Sequence, residues 1–398
     1  MKSTILFLAT ILLSLQINAQ QLQKVSPEQV GMDPQKLLQA DKIINEAIDN
    51  KEIPGAVLAV VKDGRMAYLK AYGNKQTYPS VIPMDVNTVF DLASLTKPVA
   101  TAISAMILVE RGQLRLLDKV NLFIPSFQGW TNKDGTKDIR VIDLMTHTSG
   151  LPAYGPVAQM LKSRGSNNPD KMIDYISTIK REFEPQTDFR YSCLNYITLQ
   201  RIIEIITKQS LQAFAKQNIF DVLGMSHTDY NPTGETLKRT APTSRLSDGT
   251  ILKGVVHDHL ARIMNLGVSG NAGLFSDAND LALLVAALQN NGEYNGKRIL
   301  SPLAVKTMRT VPRATQEIGR TPGWDIFTPY ASNNGDFFGP NTYGHTGFTG
   351  TSIVIDPDNN TSVILLTNSV HLSNGGSVVR LRSLVSNIVA ASIKSIRY

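Results

Sequence analysis

Apolar positions along this chain follow two different periods, and each period keeps to its own part of the sequence. Residues 35–49 (QKLLQADKIINEAID) place apolar residues at helical spacing behind the start signal Met32-Asp33-Pro34, and Pro54-Gly55 closes the segment. This spacing predicts an amphipathic helix. Two short apolar runs follow, Ala56–Val61 and Met66–Ala71, separated by Lys62-Asp63-Gly64-Arg65. Asp-Gly is a tight-turn pair, so the two runs read as a β-hairpin. The far end repeats the pattern: Ser352–Ile355 and Ser362–Leu366 flank Asp356-Pro357-Asp358-Asn359-Asn360, and residues 375–396 return to helical spacing. Strands from both chain ends are expected to share one antiparallel sheet.

Between these ends, residues 98–112, 171–181, 194–217 and 277–290 have helical spacing without β-branched alternation. Residues 163–170 and 331–342 are rich in Gly, Asn, Ser and Pro, as surface connections are. No internal repeat interrupts the series. The expected fold class is α+β: a sheet part at about 20–90 and 340–398, and a mostly helical inserted part at about 91–339. A cleft between the two is the place to look for chemistry.

Composition narrows the picture. The chain has 398 residues, 42% of them hydrophobic and 18% charged, enough for a sizeable core in one large or two intimately packed domains. The net charge of +7 is spread without a long basic block, which suits a bland surface or anionic ligands and gives no footprint for nucleic acid. Residues 1–19 combine Lys2, an apolar run from Ile5 to Leu15 and a small residue, Ala19, before Gln20, the pattern of a cleavable signal peptide. No later stretch offers about 20 uncharged apolar residues, so no membrane span is expected. The expected location is periplasmic or secreted. The single cysteine, Cys193, rules out an intramolecular disulfide.

Three segments carry candidate chemistry. Asp91-Leu92-Ala93-Ser94-Leu95-Thr96-Lys97 runs into an apolar helix, and the i, i+3 spacing puts Ser94 and Lys97 on one face. A nucleophile at a helix start with an amine one turn on is a compact acyl-transfer device. Chance alone yields S-x-x-K about once or twice in such a chain. A second copy, Ser177-Thr178-Ile179-Lys180, reads as a solvated helix face. The second segment, Phe189-Arg190-Tyr191-Ser192-Cys193-Leu194-Asn195-Tyr196, offers Tyr191 as a proton carrier or as a half-buried aromatic. The third, Tyr343-Gly344-His345-Thr346-Gly347-Phe348-Thr349-Gly350-Thr351, is a glycine-punctuated strand where the backbone could approach a ligand closely.

Ser-x-x-Lys, then Tyr-Ser-x, then His-Thr-Gly, in that order, resemble the three active-site motifs of the class C β-lactamase and penicillin-binding-protein superfamily. Met145-Thr146-His147-Thr148-Ser149-Gly150-Leu151, Val256-His257-Asp258 and Gly270-Asn271-Ala272-Gly273-Leu274-Phe275-Ser276 extend the resemblance over nearly the whole of residues 20–398, and the last two are most similar to the branch containing penicillin-binding protein 4B and esterase-like proteins. The resemblance implies a β-lactamase/transpeptidase-like fold and an acyl-enzyme on Ser94, with Lys97 and Tyr191 managing protons. It places His345, Thr346, Gly347, Phe348 and Cys193 around the substrate, with the backbone N–H groups of Ser94 and Phe348 as the oxyanion hole. It implies no cofactor and no metal. The implied substrate is a small molecule or a peptidoglycan peptide.

Two departures shape the expected activity. The family often has Asn where this chain has Cys193, whose thiol is a weak hydrogen-bond partner. Its β-lactamases usually carry Lys where this chain has His345. D-alanyl-D-alanine carboxypeptidase or esterase activity, with weak β-lactamase activity, is therefore expected. The alternative is a protein that binds penicillin or cell-wall peptides without turnover, as a sensor. His257-Asp258-His259 lacks a spaced partner for a metal site and reads as a loop support, and His147 and His227 receive no role. No G-x-S-x-G elbow is present.

Overall fold

The computed structural model describes residues 21–372 and 377–395, so the signal-peptide expectation for residues 1–19 lies outside the described residues. Both chain ends build one six-stranded antiparallel sheet, as the apolar pattern predicts. Its strands are β1 (Gly55–Lys62), β2 (Arg65–Gln76), β3 (Ile82–Pro83), β4 (Tyr343–Thr346), β5 (Ser352–Asp356) and β6 (Thr361–Thr367). Their spatial order is β4-β5-β6-β1-β2-β3, with Ala56 opposite Thr367 and Lys62 opposite Thr361 where the two ends of the chain meet. The β1–β2 turn places Asp63 and Gly64 at φ +54° and +68°, a tight hairpin turn of the kind Asp-Gly favours.

β1 is buried along its whole length because both faces of the sheet are covered. Val57, Ala59 and Val61 face one hydrophobic core, and Ala56, Leu58 and Val60 the other. The alternation of faces is the period of two of a strand, and burial on both sides explains why the sequence reads as an unbroken apolar run. One core is closed by α1 (Pro34–Asp49), through Leu37, Ala40, Ile44 and Ala47, together with a C-terminal helix (Val379–Ala391), through Leu381, Val385 and Val389. Asp33 caps α1 by accepting from the Gln35 N–H at 2.9 Å.

The other core holds the helical part. It contains α2 (Ile103–Glu110), entered through a π-helical turn at Lys97–Ala102, then α3 (Cys193–Thr207) and α4 (Ala278–Gln289). The helix expected over 194–217 is broken: Lys208 adopts a left-handed conformation at φ +58°, and a new helix starts only at Leu211. A small sheet of Phe90–Asp91, Leu274–Ser276 and Asp229–Tyr230 crosses this part and positions the entry to α2. One stretch, Ala93–Glu110, is by length and composition apolar enough to cross a membrane, but it carries Lys97 and Glu110, and 83% of it is buried inside the protein.

The second Ser-x-x-Lys is not a solvated face. Ser177 is fully buried while Lys180 is exposed, because the helix Pro169–Thr178 ends between them and turns the lysine away. This pair cannot act as a nucleophile and base.

Candidate active site

Ser94 stands at a forced turn. Ala93, immediately before it, has φ +46°, a strained conformation for a residue with a Cβ, and Asp91 holds it by accepting from the Ala93 N–H at 2.9 Å. Asp91 is fully buried, and burial pushes its carboxyl up to about 6 against the lowering effect of the hydrogen bonds it accepts from His257 and Ala93. One helical turn on, the Lys97 ammonium donates to Ser94 Oγ at 3.0 Å and to the Asn271 carbonyl at 2.9 Å. Lys97 is fully buried. Burial alone would favour a neutral amine, but the acidic groups of Cys193 and Tyr191 oppose it, and Lys97 is held above the ordinary lysine value. In the resting site it is therefore a cation.

Tyr191 faces that cation, with Nζ 4.9 Å from its ring centroid. Its hydroxyl is buried without a hydrogen-bond partner among the described residues, so it is available to a reacting group. The ring is clamped between His147 at 4.4 Å and Tyr330 at 5.2 Å, and Arg320 lies 5.5 Å from its centre. Cys193, two residues on, approaches Lys97 with Sγ at 3.7 Å, a weak contact. Burial pushes its thiol up, against the lowering effect of the Lys97 charge.

β4 supplies the opposite wall. His345 is buried, and its Nδ1 donates to the Thr346 carbonyl at 2.9 Å, leaving Nε2 without a hydrogen-bond partner among the described residues. Burial first, then the charges of Arg320 and Lys97, hold His345 well below the usual histidine value, so it is neutral. Gly347 is required for packing. A Cβ there would overlap the Leu92 carbonyl and the Thr351 hydroxyl, so the close approach inferred from its glycine is to the chain's own backbone. Thr349 Oγ1 donates to the Asp91 carbonyl at 2.7 Å, and Thr351 Oγ1 to the Leu92 carbonyl at 3.1 Å. These bonds staple the β4–β5 turn to the segment that presents Ser94. No hydrogen bond to another described residue takes up the Phe348 N–H, consistent with a free donor beside the nucleophile.

Ser94, Tyr191, His345, Thr346, Gly347 and Phe348 thus line one cavity of about 620 Å³. Lys97 and Cys193 lie beneath it. Two participants, Arg320 and Arg382, carried no signal in the sequence. Arg320, 1% exposed, lines the cavity and is paired with Asp325, Nη1 to Oδ2 at 2.7 Å. Arg382 donates to the Gly347 carbonyl at 2.9 Å, and burial lowers its pKa to about 10. His147, which received no role, supports the tyrosine segment by accepting from the Ser192 N–H at 3.1 Å. His257 is neutral, lowered to about 4 chiefly by burial; it lines the cavity, bonds Ser244 at 2.9 Å and stacks on Phe348 at 5.5 Å.

This arrangement sets a serine oxygen beside a fixed cation to attack a carbonyl carbon, with backbone donors for the charge that develops on the carbonyl oxygen. The family described as Beta-lactamase matches residues 40–384, across all of these segments. The chain belongs to the beta-lactamase family. It is a serine hydrolase of that family, with the β-lactamase/transpeptidase-like fold. It is 36% identical over 382 residues to a Bacillus subtilis (strain 168) protein named N-acetylmuramyl-L-alanine amidase, covering 87% of this chain and 84% of that one. It is 31% identical over 403 residues to an Escherichia coli (strain K12) protein provisionally named D-alanyl-D-alanine carboxypeptidase, covering 93% of this chain and 92% of the other. Among solved structures the fold is shared with EstCE1, a hydrolase with promiscuous acyltransferase activity, at TM-score 0.71 and 23% identity, covering 89% of this chain and 99% of that one. It is shared too with an octameric penicillin-binding protein homologue from Pyrococcus abyssi, at TM-score 0.66 and 22% identity, covering 87% and 76%.

Proposed function

We propose that this beta-lactamase-family member is an exported hydrolase that cleaves D-alanyl-D-alanine-terminated cell-wall peptides through an acyl-enzyme on Ser94. The observation that carries the reading is the 3.0 Å contact between Ser94 Oγ and the buried Lys97 cation, beneath an unpartnered Tyr191 hydroxyl. Ser94 Oγ attacks the carbonyl carbon, and the oxyanion is held by the Ser94 and Phe348 N–H groups. The bond to the leaving amine breaks, and the serine proton passes through the Tyr191–Lys97 pair to that amine. Water then attacks the ester, releasing the acid and returning a proton to Ser94.

Arg320, Arg382 and Lys97 are all buried around the cavity, with Asp325 the carboxylate paired among them. The net positive field suits a substrate ending in a carboxylate. The names of the relatives in Bacillus subtilis and Escherichia coli support a cell-wall substrate. A second reading, esterase, is favoured by the cavity rim: Phe348 is 75% exposed, and Tyr330 and Val379 are also exposed beside it. A stable acyl-enzyme that never turns over would instead make the protein a sensor.

Intact-protein mass spectrometry after adding a D-Ala-D-Ala peptide, an activated ester or a penicillin tests the mechanism. A transient adduct on wild type, absent from Ser94→Ala and accompanied by released D-alanine, is the expected result. Released product from Ser94→Ala at the wild-type rate would overturn it. Export is tested by fractionating cells expressing the full chain and sequencing the mature N-terminus, with Gln20 expected first.

A further inference from the structure

The geometry points to a second site, distinct from the Ser94 cavity: a divalent transition-metal site formed by His227, Asp277 and Asp280. Their ligand atoms, His227 Nδ1 and one oxygen from each carboxylate, lie within 4.8 Å of one another. None of the three lines the cavity that contains Ser94.

Each carboxylate uses one oxygen for the fold and turns the other towards the same point. Asp277 Oδ1 caps α4 by accepting from the Asp280 N–H at 2.9 Å, which leaves Oδ2. Asp280 Oδ2 accepts from the His227 N–H at 2.7 Å and from Thr228 Oγ1 at 2.8 Å, which leaves Oδ1. His227 Nδ1 is 2.9 Å from Asp277 Oδ2 and 3.9 Å from Asp280 Oδ1.

The 2.9 Å contact between His227 Nδ1 and Asp277 Oδ2 is an ion pair whenever the imidazole is protonated. Asp277 is fully buried, and both its Oδ2 and His227 Nδ1 are without hydrogen-bond partners among the described residues. Here Nδ1 and both free carboxylate oxygens lie within 4.8 Å of one another, close enough to share one ion. Two carboxylates side by side in a buried setting also disfavour each other's ionised form, a repulsion that a bound dication would relieve.

The donor set, one imidazole nitrogen and two carboxylate oxygens, suits Zn²⁺ or Mn²⁺ better than Ca²⁺ or Mg²⁺, which prefer all-oxygen shells. His227 is 28% exposed at its side chain, giving an ion a route in and leaving room for a water ligand. The site would tie α4 to the loop before Asp229–Tyr230 and to the strand Leu274–Ser276. That strand pairs with Phe90–Asp91, and the Leu92 N–H donates to the Leu274 carbonyl at 2.9 Å. An ion here would therefore stiffen the platform that presents Ser94.

Untagged, chelator-treated full-length protein is titrated calorimetrically with ZnCl₂, with MnCl₂ and CaCl₂ as comparisons, and metal content after dialysis is measured by mass spectrometry. About one equivalent of Zn²⁺ per chain is expected, with Ca²⁺ binding at least a hundredfold weaker. His227→Gln and, separately, Asp277→Asn should weaken Zn²⁺ binding at least a hundredfold. Melting of His227→Gln without metal, within about 2 °C of wild type, shows that the variant is folded. No stoichiometric uptake by wild type, or equal uptake by a folded His227→Gln, overturns the proposal. The latter result would assign the ion to another group, such as the His257–His259 pair.

Discussion

His147 lies beneath Tyr191, with ring centroids 4.4 Å apart and planes tilted by 31°, while its Nδ1 accepts from the Ser192 N–H at 3.1 Å. The accepting nitrogen must be unprotonated, so the support of the tyrosine segment depends on a neutral imidazole. Burial, then the charges of Arg320 and Lys97, hold His147 well below its ordinary value. In the unfolded chain it protonates near 6.5. Below that pH the unfolded state binds a proton that the folded state refuses, so stability falls as pH falls. His147→Asn should be less stable at pH 7 but free of this dependence. The wild-type advantage should shrink by about 1.4 kcal/mol per pH unit from pH 6.5 downward, until the folded ring itself titrates. Urea unfolding of both proteins at pH 7, 6 and 5 measures this, and an advantage constant with pH would contradict it.

The pair Arg320 and Asp325 predicts a different kind of loss. Both side chains are almost fully buried and meet at 2.7 Å. Removing one partner strands the other charge, so Arg320→Gln should cost about 3–5 kcal/mol. Adding Asp325→Asn removes the stranded charge and should recover more than half of that loss. A double-mutant cycle by denaturant unfolding decides it; additive costs would show that the two groups are not coupled.

Gly347 carries a prediction about rate. A methyl group there meets the Leu92 carbonyl and the Thr351 hydroxyl, the same contacts that hold the β4–β5 turn against the Ser94 segment. Gly347→Ala should push Phe348 away from Ser94 and lower kcat about 10²–10³-fold, the scale of losing one oxyanion donor. The overpacking should also cost about 1–3 kcal/mol of stability. Steady-state kinetics with an activated ester tests it, and unchanged kcat in a folded variant would remove Phe348 from the oxyanion role.

What the sequence made legible, and what it hid, follows from how far apart the participants lie along the chain. Ser94 and Lys97 are one helical turn apart, so local spacing was enough to pair them. The sheet was equally legible, because β1 and its hairpin partner announce themselves by apolar runs and an Asp-Gly turn. His147, Arg320 and Arg382 were not, because each reaches the site from a separate segment where a lone basic residue has no distinctive neighbours. The segment Met145–Leu151 was noticed for its resemblance, yet its histidine acquires a role only when tertiary folding brings it under Tyr191. The buried Ser177 was misplaced for a related reason: periodicity locates a helix but not the residue at which it ends.

Cys193 is where the chain departs most clearly from the tyrosine motif it resembles, and the departure makes a selective prediction. Its Sγ lies 3.7 Å from Lys97 Nζ, so the lysine has a weak neighbour where an amide oxygen would accept a full hydrogen bond. In Cys193→Asn the new Oδ1 would accept from Lys97, and Nδ2 would face a substrate amide carbonyl. One neutral hydrogen bond of about 1.4 kcal/mol corresponds to a tenfold change in rate. Cys193→Asn should therefore raise kcat/KM about tenfold for a D-Ala-D-Ala peptide, and less than twofold for an activated ester without an amide. Cys193→Ala, which removes the weak contact without adding a donor, should raise neither. Equal gains on both substrates would mean that the thiol limits the chemistry itself rather than the positioning of an amide, because only the peptide offers the group that the new side chain would hold.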